Sequence, residues 1–144
     1  MLKKFVAVVL ALSLSWLMPL AISIAEAGTR SHELMRYTHI AEISGSFDIE
    51  SGIAECYGTG RSRYDDTTTT VKVTLQKRTI GTSQWSAVCS WSDTQSGRTV
   101  ACVDEERSVS KGYDYRIYVK CTIKNSEGSV LETSGLYSRI ISYS

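Results

Sequence analysis

Few side chains in this sequence are equipped for chemistry. They are four cysteines (Cys56, Cys89, Cys102, Cys121), two histidines (His32, His39), two acidic runs (Asp65-Asp66 and Asp104-Glu105-Glu106) and a set of aromatic rings. Thiols either bind metal or pair as disulfides. Zinc sites favour closely spaced Cys-x-x-Cys pairs with histidines near them, and here no such pair occurs and both histidines lie far from the cysteines. An even thiol count in an exported chain points instead to two disulfides. A serine-hydrolase triad would set its nucleophile on a Gly-x-Ser-x-Gly turn. None is present, so His39 reads as an ordinary strand residue. The acidic runs could serve as acid and base or hold calcium, but acids at strand ends read first as solvated turns. The rings are more informative, because an aromatic face on a flat sheet can stack on a sugar. Trp85 and Trp91 share parity with Cys89, which turns both inward if Cys89 faces the core. Tyr118, between Arg116 and Lys120 on a polar face, is the best placed for exposure. Tyr118, Trp85 and Trp91 are therefore the candidate ligand-binding residues; no catalytic residue, metal or cofactor is assigned.

The compartment follows from the first 27 residues. Lys3 and Lys4 precede an apolar run over 5–17, Pro19 breaks it, and Ala25-Glu26-Ala27 sets small residues either side of a variable one. This is the build of a signal peptide over 1–27, cleaved before Gly28. An uncleaved anchor is the rival, since 5–25 is nearly long enough to cross a bilayer. Cleavage implies a secreted, extracellular protein with no stable membrane insertion. Residues 28–38 are polar and aperiodic, a flexible segment, and 39–144 is one domain. With a net charge of +1 and basic residues scattered along the chain, neither nucleic acid nor an anionic membrane is an expected partner.

The elements that must position these residues are strands. Tyr113, Tyr115, Ile117, Val119, Cys121 and Ile123 alternate with Asp114, Arg116, Tyr118, Lys120, Thr122 and Lys124, the period-two pattern of a half-buried strand. Similar runs are expected over 39–50 (with a break near Gly45), 53–60, 71–76, 84–92 and 98–105. A last run covers 130–143, broken at Ser134-Gly135. Thr67 to Thr70 have β-propensity but no core face of their own. With no helical period, this predicts an all-β, immunoglobulin-like antiparallel sandwich of about seven strands. A jelly roll or a small closed barrel is the alternative. Four cysteines allow three pairings. Cys89 with Cys102 would staple neighbouring strands of one hairpin, leaving Cys56 with Cys121 across the core.

The runs Val-Thr-Leu-Gln-Lys-Arg (73–78), Gln-Trp-Ser-Ala-Val-Cys-Ser-Trp-Ser (84–92) and Val-Ser-Lys-Gly-Tyr-Asp-Tyr-Arg-Ile (109–117), with a closing Ser-Tyr-Ser (142–144), carry a resemblance. Over most of 40–143 the chain resembles a family of short secreted proteins of Gram-positive bacteria that carry a domain of unknown function. It departs from them in its cysteines at 89, 102 and 121. The resemblance implies a secreted β-sandwich and no active site. The expected function is a non-catalytic binding or structural module for a protein or cell-envelope component, with carbohydrate or cell-wall binding through exposed aromatics as the alternative.

Overall fold

Apolar and polar side chains alternate over 67–79 and again over 113–125, and the backbone of each stretch needs a neighbour for its hydrogen bonds. In the computed structural model, which describes residues 37–144, each is the other's neighbour. β3 (Thr67–Thr79) and β6 (Tyr113–Asn125) run antiparallel in unbroken register, from Thr67 opposite Asn125 to Thr79 opposite Tyr113. The remaining strands are β1 (Ile40–Glu50), β2 (Ile53–Ser62), β4 (Ser86–Ser96), β5 (Ala101–Ser108), β7 (Val130–Tyr137) and β8 (Ile141–Tyr143). No helix occurs among the described residues. One sheet has the order β1-β2-β5; the other has β4-β3-β6-β7, with β8 also on β6. First, second and fifth strands in one layer, third, sixth and seventh in the other, is the immunoglobulin-like arrangement. The Tyr115 hydroxyl donates to the Ser110 carbonyl at 2.7 Å and accepts from its N–H at 3.1 Å. That is the corner-tyrosine bond of immunoglobulin-like sandwiches, made at the start of this strand.

The two sheets meet because one presents small residues where the other presents branched ones. The inner face of β2 reads Ala54, Cys56, Gly58, Gly60, Ser62. Opposite lie Val71, Val73, Leu75, Ile117, Val119 and Ile123, all fully buried. A Cβ at Gly58 would sit 2.5 Å from Val73 Cγ2, and one at Gly60 would sit 2.7 Å from both Val71 Cγ2 and Cys121 Sγ. Missing side chains on β2 thus let the valines of the facing sheet interdigitate at close-packed density.

Several boundaries differ from the sequence reading. The threonine run is the first third of β3, with Thr67 and Thr69 buried rather than lacking a core face. The register shift in β1 falls between Ile40 and Glu42, not near Gly45. The C-terminal strand breaks at 138–140, not at Ser134-Gly135. β4 and β5 each lie further along the chain than expected, which leaves Trp85 ahead of its strand. The leader at 1–27 lies outside the described residues. The end of the 28–38 segment is tied down: both oxygens of Glu132 accept from the N–H groups of Thr38, His39 and Ile40 at 3.0, 2.8 and 2.6 Å.

Two outcomes follow. Gly58→Ala forces a methyl against two stiff valines and lowers unfolding free energy by about 1–3 kcal/mol; an unchanged denaturation midpoint would refute the close approach. For Glu132, burial alone would raise the pKa, but the N–H donors and His39 outweigh it and hold the carboxylate below its ordinary value. Its stabilisation is therefore complete above about pH 4.3 and is lost as pH falls through the lower folded value. Glu132→Gln should cost stability at neutral pH and flatten the acid-side decline. Parallel pH–stability curves for the two proteins would contradict this.

Candidate functional site

The even-numbered residues of β3 and β6 point away from the core, and on the outer face of the five-stranded sheet they assemble a row of cations and rings. It begins at Asp114, a buried carboxylate that accepts from Arg78 Nε at 2.9 Å and from the Ser142 hydroxyl. Those bonds, Ser142 first, hold its pKa below the ordinary carboxylate value. Arg78, so anchored, lies over the Trp85 ring, 4.7 Å from its centroid. Arg116 is held by Gln76 Oε1 at 2.8 Å, and its guanidinium carbon lies 4.1 Å from the centroids of both Trp85 and Tyr137. Tyr137, 54% exposed, leans on Tyr118 at 4.6 Å between centroids. Tyr118 in turn lies across Gly135, where any Cβ would collide with its ring and hydroxyl. A flat ring over a strand glycine makes a smooth platform. Beside Trp85 the row ends in a shallow cleft of about 400 Å³ lined by Lys77, Arg78, Thr82, Gln84 and Tyr113 among others.

Register also sorts the charges. The same outer face carries Lys72, Arg78, Arg116, Lys120 and Lys124 against the single carboxylate Asp114. Lys72 and Lys120 are direct cross-strand partners. On the other sheet the outer face carries Glu42, Asp48, Glu50, Glu55, Asp104 and Glu106 against Arg61 on Glu42 and Arg139, which reaches Asp48 from the loop before β8. Asp48, Glu55 and Glu106 stand side by side across three strands. A chain close to neutral is thus strongly two-faced. Residues scattered in sequence are gathered, because alternation sends each group to one side. Like charges opposite one another are unfavourable in a sheet, so neither face is explained by fold stability.

Two of the three expected ring residues, Trp85 and Tyr118, share this face; Trp91 does not. It lies opposite Val73 on the inner side of β4, half-buried against the core. The expected common parity of Trp85 and Trp91 fails at a bulge: Leu75 pairs with Cys89 but Gln76 with Ala87, so Val88 is passed over. Tyr137, the last residue of β7, joins Trp85 and Tyr118; alternation in sequence marks it as a strand residue but not as a member of this face. His39 donates its N–H to Glu132, and its ring packs 5.5 Å from Tyr64. Asp65 pairs with Arg98. Among the described residues, no group of three or more His, Cys, Asp or Glu is set to hold a metal.

No disulfide joins the four cysteines in this structure, and neither expected pairing is brought together. Cys89 and Cys102 are not hairpin neighbours, because β4 and β5 belong to different sheets; Cys89 is half-buried beside the core while Cys102 is exposed. Cys121 packs on Gly60, four residues along β2 from Cys56. At the strand rise that is about 13 Å, beyond the roughly 7 Å Cα separation a disulfide spans. The thiol that acts electrostatically on Cys56 is Cys89. Neither a scan of family models nor a search of curated proteins finds a match to this chain.

Burial, helped by Cys89, pushes the Cys56 thiol up to about 12, and burial with Glu132 pushes Cys121 to about 11. Only the thiolate alkylates readily. Iodoacetamide at pH 8 should therefore modify exposed Cys102 first and reach Cys56 and Cys121 only in denaturant. A peptide map joining Cys89 to Cys102 would contradict this placement.

Proposed function

We propose that this chain is a non-catalytic binding module, exported as its leader implies, that engages a cell-envelope component through the outer face of the five-stranded sheet. One observation carries the reading: Arg116 is clamped between Trp85 and Tyr137, in a row that continues to Tyr118 on one side and Arg78 on the other. Cation–π contacts with half-exposed rings are worth about 0.5–1 kcal/mol apiece, too little to be the row's purpose in a sandwich already held by its core. Fixed side chains on a rigid sheet instead offer a ligand an ordered surface with little entropy to lose on binding. The resemblance to secreted proteins of Gram-positive bacteria points to the same setting.

Capture of solubilised envelope material on the immobilised protein tests it. Arg116→Ala and Tyr137→Ala should each weaken capture about tenfold, the equivalent of 1.4 kcal/mol. Trp91→Ala should lower the melting temperature and leave capture by the folded protein intact. Capture that survives both face substitutions but is lost with Tyr57→Ala, on the opposite sheet, would refute the assignment.

A further inference from the structure

We infer that the ligand of this face is an acidic polysaccharide, a linear chain of sugars bearing carboxylates, laid along β6; this rests on the reading of the face as the binding surface. Lys72, Lys120 and Lys124 enter no ion pair among the described residues, whereas Arg61, Arg78, Arg98 and Arg139 all do. Lys72 and Lys120 are moreover forced opposite each other, a repulsion that an anion between them relieves. The cations repeat: Arg116, Lys120 and Lys124 stand four residues apart along one strand. At the strand rise this spaces them by about 13 Å over a strip of about 26 Å, which fits a polymer rather than a small anion.

The ground between the charges is suited to sugar. Tyr118, packed over Gly135, and Tyr137, still exposed beside Arg116, leave apolar ring surface against which a pyranose can pack. Thr70, Thr94, Thr122 and Thr133 line the remainder with hydroxyls; Thr70 and Thr94 already bond each other at 2.9 Å. Such a surface donates and accepts toward sugar hydroxyls while the lysines take carboxylates. The opposite sheet contributes by repulsion. Its unopposed Glu55 and Glu106 exclude a polyanion from the other side, so the molecule's field docks the polymer in one orientation.

Titration of the full protein with polygalacturonate, with the same polymer fully methyl-esterified, and with oligo(dT) at low and high salt decides the matter. Polygalacturonate should bind, weakening as salt rises; the neutral ester should bind at least about tenfold more weakly, and oligo(dT), a polyanion without pyranose rings, more weakly than polygalacturonate. Lys72→Gln with Lys120→Gln should weaken polygalacturonate about tenfold at low salt and much less at high salt, while the melting temperature of the free protein rises as the cross-strand repulsion is removed. Glu106→Gln should not weaken it. Equal binding of ester and acid, or tighter binding of oligo(dT), would overturn the proposal. If polygalacturonate fails but envelope material is still captured in an Arg116-dependent way, the ligand class is wrong and the binding face stands. If neither is retained, both fall.

Discussion

The pairing of β3 with β6 is the constraint from which the rest of this molecule follows. Thirteen residues of each strand run side by side without a break in register. A sheet pleat sends successive side chains to opposite faces, so a slip of one residue would exchange the two sets completely. In the observed register one side supplies half of the buried core, Val71, Val73, Leu75, Ile117, Val119, Cys121 and Ile123. The other side supplies Lys72, Arg78, Arg116, Tyr118, Lys120 and Lys124. Core and candidate site are therefore two faces of a single object. Burial of the first face, at about 25 cal/mol for each Å² of apolar surface, fixes the geometry of the second.

The three-stranded sheet completes this arrangement by being thin. Its β2 strand offers glycine and alanine to the branched side chains of β3 and β6, and so draws the layers together without competing for volume. This close approach also decides the fate of the thiols. Cys121 is buried against a glycine, and Cys56 lies further down the same strand. The cysteines thus fill space as small apolar groups. Stability rests on packing and on polar clamps such as Glu132 on the start of β1 and Asp114 between Arg78 and Ser142.

Much of the architecture was legible because alternation is a local signal. The β6 pattern alone located the central strand and its inward set. What misled was whatever depends on pairing between distant segments. The bulge at Val88 reverses parity between Trp85 and Trp91, and nothing in the local sequence announces it. The allotment of β4 to one sheet and β5 to the other separates cysteines that a hairpin would have joined. Buried Thr67 and Thr69 look polar in sequence, yet they lie within the core because β3 extends past the apolar run. The charge segregation is the instructive case. Every member was visible, and even the alternation Arg116, Lys120, Lys124 was, but a net charge of +1 averages over two faces that only the fold separates.

On the binding function proposed above, a platform of rings and cations backed by the five-stranded sheet, with an acidic surface behind it, would act directionally, its specificity lying in what a neighbour presents to it. All of this stands on one register, which nuclear Overhauser contacts between backbone protons of facing strands read directly. The account predicts contacts linking Lys72 with Lys120 and Thr74 with Tyr118 across β3 and β6. Contacts displaced by one residue, joining Lys72 to Val119 or Cys121, would put the lysines in the core and contradict it.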